Sequence, residues 1–121
     1  MKIAFVSTIL GYPWGGADAL WTRVAESATQ RGDRLLIAVT AAVAAHPRMV
    51  ALAANGSNVH IRPQPVFRPT FASRLLNRLG IARTADTALT AALTGFDPEL
   101  VIISCGGTYD LIVEPGLHRE R

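Results

Sequence analysis

The stretch KIAFVSTILGYPWGGADALW, residues 2–21, decides the fold of this chain. Lys2–Ser7 is a continuous apolar run without polar alternation, which is typical of a strand buried on both faces of a parallel sheet. Three glycines, a proline and two aromatic residues follow at 11–16, and an amphipathic segment begins at Gly16. The chain therefore turns sharply from a buried strand into a helix, which is the first step of an alternating α/β fold.

The same alternation continues to residue 104. Buried strands are predicted at Lys2–Ser7, Arg34–Thr40 and Leu100–Ser104, and a shorter strand is predicted at Asn58–Arg62. Helices are predicted at 16–31, from Pro47 to just before Gly56, at 70–80 and from about 84 to 94. Such alternation specifies a parallel sheet joined by right-handed crossovers. We predict an α/β fold, a three-layer Rossmann-like parallel sheet with strand order 3-2-1-4 and helices on both faces.

The first predicted helix has an apolar side and a polar side. Apolar residues recur at three- and four-residue spacing, at Ala17, Leu20, Trp21, Val24, Ala25 and Ala28. Polar residues occupy the intervening positions Asp18, Thr22, Arg23, Glu26 and Gln30. The spacing predicts that the first set faces the sheet and the second faces solvent.

Length and composition limit the class of protein. The 121 residues suit one domain, which can bury roughly 65% of the surface that its unfolded form exposes. Only 17% of the residues are charged, which excludes a disordered tail, and the apolar run at 35–45 is too short to span a bilayer. A signal peptide is not indicated, because Gly, Pro and Trp separate the first apolar run from the small residues at 17–19. We expect a soluble cytoplasmic domain, with which the single cysteine, Cys105, is compatible.

The loop before the first helix is the first candidate site. Gly15 and Gly16 carry no Cβ, and they stand where a helix exposes unpaired N–H groups and the positive end of its dipole. This arrangement favours an anionic ligand, although neither the dinucleotide-binding nor the P-loop spacing occurs. The alternative is a tight turn in which Tyr12 and Trp14 cover the strand ends. Asp18 either accepts a hydrogen bond from a sugar hydroxyl or complements the helix dipole.

The segment after the fourth strand is the second candidate site. In strand order 3-2-1-4 the order reverses between strands one and four, where ligands bind in open α/β sheets. Its glycines let a ligand approach the backbone, and its hydroxyl groups and carboxylate can form hydrogen bonds with sugar hydroxyls. Its predicted ligand-binding residues are Gly106, Gly107, Thr108, Tyr109 and Asp110. The alternative is a glycine-rich cap between a strand and a helix.

Catalysis and metal binding are not indicated by the sequence. No residue makes a persuasive general acid, base or nucleophile, and His46, His60 and His118 are scattered. No pair of histidines, cysteines or carboxylates has the spacing of metal ligands. We predict no catalytic residue, no metal and no cofactor in this chain.

Positive charge is concentrated in the middle of the chain, where no acidic residue occurs between 33 and 86. In the helix predicted at 70–80, leucines form one face, Arg74 and Arg78 line the other, and Arg68 precedes it. Three interpretations compete: solvated arginines on a helix packed against the sheet, contact with an anionic membrane carrying a lipid-linked acceptor, or contact with an anionic acceptor. Nucleic acid is not predicted, because arginines without interleaved aromatic residues suit a stacking groove poorly.

Together these motifs resemble a known family. The order of an M-K-I-A-F-V-S strand, a P-W-G-G-A-D loop, an amphipathic helix ending in R-G-D and then R-L-L-I-A-V-T is similar to the N-terminal Rossmann-like domain of GT-B glycosyltransferases. The likeness is greatest to the large group of retaining glycosyltransferases called group 1, which resemble glycosyltransferase family 4. FDPELVIIS before a glycine-rich loop resembles that family's fourth strand. The resemblance covers most of the chain, and Asp18 stands where the family more often has Glu.

The resemblance implies a role in sugar transfer. In that family the N-terminal domain mainly binds the acceptor, and the double-glycine loop, here Gly15 and Gly16, lies beside the diphosphate of the sugar nucleotide in the interdomain cleft. The implied partners are therefore a sugar nucleotide and a saccharide or lipid-linked acceptor. A place at the inner face of the membrane is one implied location.

The resemblance stops short of a second domain. The family's C-terminal domain, with its nucleotide site, is missing from these 121 residues, as are the last strands of its N-terminal domain. We therefore expect a fragment of a larger enzyme that is inactive alone and forms homo-oligomers through its incomplete sheet. The alternative is a non-catalytic Rossmann-like module that binds a small ligand or docks a partner.

Overall fold

A computed structural model describes residues 1–9, 13–63 and 87–105 of the chain. In chain order the elements are β1 (Lys2–Ser7), α1 (Gly16–Gln30), β2 (Arg34–Thr40), α2 (Ala41–Ala44), α3 (Pro47–Ala54), β3 (Asn58–Arg62), α4 (Thr87–Phe96) and β4 (Leu100–Ser104). All four predicted strands are confirmed with the predicted bounds. The helix predicted at 70–80 lies outside the described residues, as do residues 84–86 of the next one.

The four strands form one parallel sheet in the order β3-β2-β1-β4, which confirms the predicted topology. β1 lies between β2 and β4. Its residue Phe5 is paired to Ile37 of β2 on one side and to Ile102 of β4 on the other. Beyond the end of β1, the N–H of Thr8 donates a hydrogen bond to the Ser104 carbonyl at 2.9 Å. The carboxyl ends of β1 and β4 are therefore held side by side.

Helices cover both faces of the sheet, so the predicted three layers are confirmed. Alternate residues of β1 point to opposite faces: Ile3 and Phe5 belong to one apolar core, and Ala4 and Val6 belong to the other. The first core is completed by residues of α1, α2 and α3, and the second by residues of α4. Because both faces are covered, the strands carry apolar residues at nearly every position.

The orientation of α1 differs from the prediction. Its buried residues are Asp18, Trp21, Thr22, Ala25 and Ala28, whereas Ala17, Leu20 and Val24 are exposed. The prediction was right for the buried residues Trp21, Ala25 and Ala28 and for the exposed residues Arg23 and Gln30. It was wrong for Ala17, Leu20 and Val24, which are exposed, and for Asp18 and Thr22, which are buried. The physical reason is that Trp21 stacks on Phe5 of β1, with ring centroids 5.8 Å apart. This contact turns the stripe of Leu20 and Val24 away from the sheet.

The ends of the helices follow local backbone rules. Gly32 and Gly56 have φ of 84° and 92° and each follows the C-cap residue of its helix, Arg31 after α1 and Asn55 after α3, as the predicted stops required. α4 ends at Phe96, two residues later than predicted, because the chain turns at Asp97 with φ of 53°. The stretch AAVAA, for which no helix was predicted, forms the short helix α2.

Candidate functional site at the carboxyl edge of the sheet

The carboxyl ends of the strands define the edge at which the predicted site residues were expected. Gly15, Gly16 and Asp18 lie there, at the start of α1, because α1 follows β1 after a short loop. The predicted residues that lie outside the described part of the chain are Gly106, Gly107, Thr108, Tyr109, Asp110, Arg68, Arg74 and Arg78. β4 ends beside β1, with Ser104 paired to Ser7.

Neither glycine of the double-glycine loop is required by backbone geometry. Gly15 has φ of −140° and ψ of −179°, an extended conformation that any residue adopts. Gly16 lies in the first turn of α1, and a Cβ added there would meet no described atom within 4 Å. Within residues 1–9, 13–63 and 87–105, positive φ occurs at other glycines. The tight-turn alternative therefore does not explain why residues 15 and 16 are glycines.

The first turn of α1 has backbone donors available. The Gly15 carbonyl accepts the N–H of Ala19 at 3.0 Å, which is the first hydrogen bond of the helix. The N–H groups of Gly16 and Ala17 donate to no acceptor among the described residues. Such N–H groups, together with the positive end of the helix dipole, are suited to a phosphate or a carboxylate.

The carboxylate of Asp18 is directed into the protein. Its Oδ2 accepts the N–H of Gly15 at 2.9 Å, and its Oδ1 accepts the indole N–H of Trp21 at 3.1 Å. The residue is only 1% exposed. These contacts correspond to the alternative in which Asp18 complements the helix terminus, since both oxygens are used inside the fold.

Trp14 anchors the same loop to a neighbouring helix. Its ring lies parallel to that of His46, with centroids 3.5 Å apart and planes inclined by 8°. His46 is the N-cap of α3, and its Nδ1 accepts the N–H of Arg48 at 3.3 Å. The stack joins the loop before α1 to the start of α3, and it places Trp14 against the first core.

The sequence analysis missed a row of buried polar residues at this edge. Ser7, Thr8, Thr40 and Arg62 end three neighbouring strands, and each is at most 3% exposed. The hydroxyl oxygens of Ser7 and Thr40 have no hydrogen-bond partner among the described residues. The signal in the sequence was the polar residue that closes each apolar strand. Burial cannot be predicted from that signal alone, because strand ends are commonly exposed.

A cavity of about 370 Å³ between α1 and α3 lies apart from the predicted site residues. Its lining includes Glu26 and Arg48, which form a two-point ion pair with N–O distances of 2.8 and 2.6 Å. The hydrogen bonds that Arg48 donates to the Glu26 carboxylate raise the pKa of the Arg48 guanidinium above its ordinary value. This pair ties the last third of α1 to the first turn of α3.

Neither a metal-binding cluster nor a membrane-spanning helix occurs among the described residues. No three His, Cys, Asp or Glu side chains in those ranges lie close enough together to hold a metal ion. None of the described helices combines the length and the apolar character needed to cross a bilayer.

The fold and the carboxyl-edge site together define a Rossmann-like α/β domain. Comparisons of the chain with protein-family models, with curated proteins and with solved structures each found no match.

Proposed function

We propose that this chain is the N-terminal, acceptor-binding part of a GT-B glycosyltransferase. The enzyme would move a sugar from a sugar nucleotide to a saccharide or lipid-linked acceptor, and this part would be inactive alone. The proposal rests on the resemblance of the strand and loop motifs and on the geometry of the carboxyl edge.

The observation that carries the proposal is that residues 15 and 16 are both glycine although the turn does not require glycine at either position. Neither position needs glycine for its backbone conformation, and the space above Gly16 is open. A glycine that is not needed for the turn is explained by the close approach of another group. The two N–H groups available at Gly16 and Ala17 make a diphosphate the natural candidate for that group.

A second feature supports an oxygen-rich ligand at the same place. Ser7 continues the row of Ile3 and Phe5 along β1, so its side chain lies on the face that α1 covers. Its hydroxyl is buried and has no hydrogen-bond partner in the described part of the chain. A buried hydroxyl without a partner costs about 1–3 kcal/mol, which a ligand oxygen at the start of α1 would offset.

In this proposal the chain contributes binding and orientation, not proton transfer. Asp18, an acidic residue in the first turn of α1, has both oxygens engaged with Gly15 and Trp21. The α1 terminus would hold the donor diphosphate, while the second domain would grip the nucleotide and close the cleft. The enzyme would act in the cytoplasm, at the inner face of the membrane where the acceptor is lipid-linked.

The test is a titration of the 121-residue chain with inorganic pyrophosphate, followed by the backbone amide resonances of Gly16 and Ala17. We expect these resonances to shift, and we expect Gly16→Ala to weaken binding about tenfold, since a hydrogen bond to a charged group contributes roughly 1.5–3 kcal/mol. Gly95→Ala is the matched control, because it adds the same methyl group to open space in α4. Unmoved amides, or equal affinities in the two variants, would overturn the proposal.

The inactivity of the chain alone is tested separately. We expect no turnover of any sugar nucleotide by the purified chain, because an open site cannot exclude water or orient donor and acceptor. Measurable glycosyl transfer or sugar-nucleotide hydrolysis by the chain would contradict this part of the proposal.

A further inference from the structure

The cavity between α1 and α3 is lined by polar side chains that take no part in the carboxyl-edge site. Its volume of about 370 Å³ falls within the roughly 300–1,000 Å³ of small-molecule sites. α1 and α3 each connect two strands of the same parallel sheet, so the two helices run in the same direction. Glu26 and Arg48 therefore lie at one end of the cavity, and Gln30 and Asn55 lie at the other.

The lining follows from the spacing of residues along the two helices. Glu26 and Gln30 are four residues apart and share one flank of α1. Arg48, Ala51 and Asn55 follow one another at spacings of three and four residues on the facing flank of α3. Ala51 contributes only a methyl group, which leaves the space between the helices open. Below it, the buried side chain of Leu52 provides an apolar floor.

The ion pair of Glu26 and Arg48 presents hydrogen-bonding groups without a net charge. Arg48 donates one N–H from Nε and one from Nη2 to the two Glu26 oxygens, which leaves three of the five guanidinium N–H groups. The side chains of Arg48 and Glu26 are 33% and 35% exposed, so a ligand can reach them. An anion attracted by Arg48 would be repelled by Glu26, and a cation would meet the opposite pair of forces. The pair therefore suits a neutral ligand.

The other end of the cavity carries two side-chain amides. The amide groups of Gln30 and Asn55 make no hydrogen bond to any other residue that the structure describes. Each of them has an NH₂ group that donates and a carbonyl oxygen that accepts. The cavity thus offers donors and acceptors at both ends, with an apolar floor between them.

From this lining we infer that the cavity between α1 and α3 binds a neutral saccharide. Each sugar hydroxyl both donates and accepts hydrogen bonds, which matches the mixed donors and acceptors of the lining, and the C–H groups of the ring suit the floor at Leu52. Arg48 and Asn55 are seven residues apart, about 10 Å along α3, so two linked sugar rings can reach both ends. The site is separate from the α1 terminus, and the inference does not depend on the proposed function.

The experiment is a titration of the 121-residue chain with the neutral disaccharides maltose, cellobiose and lactose, followed by NMR at the side-chain amides of Gln30 and Asn55. We expect saturable shifts of both amides with at least one disaccharide. The neutral capped dipeptide N-acetyl-dialanine amide should bind more weakly, because it has fewer hydrogen-bonding groups than a disaccharide. The affinity for the disaccharide should be the same at low and at high sodium chloride, since salt screens only charged ligands.

Substitutions in the lining test whether the sugar occupies the cavity. Gln30→Ala and Asn55→Ala should each weaken binding about threefold to tenfold, because each removes hydrogen bonds of a neutral amide. Ala51→Leu should abolish the shifts by filling the cavity, and α3 should stay formed because leucine favours helices. The matched controls are Asn58→Ala in β3 and Ala53→Leu in α3, which make the same changes at exposed positions outside the lining. Neither control should change the affinity.

The inference is overturned if none of the disaccharides shifts the two amides, or if the dipeptide binds as tightly as the best disaccharide. It is also overturned if added salt weakens binding, or if Ala51→Leu binds as tightly as the unsubstituted chain. Gly16→Ala should leave the disaccharide shifts intact, so failure of the pyrophosphate site and failure of this site are distinguishable.

Discussion

The carboxylate of Asp18 accepts a hydrogen bond from the indole N–H of Trp21 at 3.1 Å, and both residues are buried. The second oxygen of the same carboxylate accepts the N–H of Gly15 at 2.9 Å, the residue that precedes α1. The Asp18 carboxylate therefore accepts hydrogen bonds from the backbone N–H that precedes α1 and from the indole N–H of Trp21, the largest buried residue of that helix. The loop that carries Gly15 and Gly16 is held to the core through this carboxylate.

The first prediction concerns this pair of hydrogen bonds. Asp18→Asn replaces one acceptor oxygen with an NH₂ group, which faces an N–H donor instead of accepting from it. We expect a loss of about 1–3 kcal/mol in the free energy of unfolding, the cost of a buried donor left without a partner. Asp97→Asn is the matched control, because the Asp97 side chain is 90% exposed and its contact with Lys2 Nζ is 3.9 Å long. Equal losses in the two variants, measured by urea unfolding, would contradict the prediction.

The strands could be predicted because apolar residues run through them without polar alternation. RLLIAVT is buried over six consecutive residues, whereas LVIIS has the same kind of run at the edge of the sheet, where Leu100 and Val101 are exposed. The order of the strands with the intervening helices implies the 3-2-1-4 sheet. The orientation of α1 could not be predicted in the same way, because the helix carries two apolar stripes. Thr22 and Asp18 are buried only because local hydrogen bonds satisfy them: Thr22 Oγ1 donates to the Asp18 carbonyl.

The candidate site was predicted only in part. The sequence shows that residues 15 and 16 are glycines, but it does not show that Gly15 is extended and Gly16 helical. These conformations indicate that the glycines are not needed for the turn and instead permit the close approach of another group. Arg62 closes a strand and has the sequence context of a solvated residue. Its burial depends on a contact with Ser7, 55 residues away, which no local pattern encodes.

The second prediction tests the orientation of α1. Leu20 is 69% exposed and Leu35 is 2% exposed, although both belong to apolar stretches of the sequence. We expect Leu35→Ala to lower the free energy of unfolding by about 2–5 kcal/mol and Leu20→Ala to change it by no more than about 0.5 kcal/mol. Thermal or urea unfolding of the two variants measures the contrast. A large loss for Leu20→Ala would show that the predicted stripe, not the observed one, faces the sheet.

The third prediction concerns stability in acid. The Met1 ammonium group donates a hydrogen bond to Asp33 Oδ1 at 3.0 Å, and this contact, aided by Arg31, lowers the pKa of the Asp33 carboxyl below its ordinary value. A carboxyl with a lowered pKa stabilises the fold above its unfolded pKa, and this contribution is lost as the pH falls through the folded pKa. We expect Asp33→Asn to flatten the decline of the melting temperature below about pH 4.

The control for the acid prediction is Asp97→Asn, which removes a carboxylate of the exposed surface. It should leave the steepness of the decline unchanged, while Asp33→Asn should also lower the melting temperature at neutral pH. An acid profile of Asp33→Asn that runs parallel to that of the unsubstituted chain would contradict the prediction.

The last prediction is self-association through β4. This strand lies at the edge of the described sheet, and its residues Leu100 and Val101 are 42% and 41% exposed although the run LVIIS is typical of a buried strand. An exposed apolar edge strand pairs readily with another chain, and a charge placed on it opposes that pairing. We therefore expect the average mass from light scattering to rise with concentration, and Val101→Lys to suppress the rise. Val50→Lys places the same charge at a 56% exposed position of α3, away from the edge, and should not suppress it. A monomer at every concentration, or equal suppression by both variants, would show that the β4 edge does not mediate association.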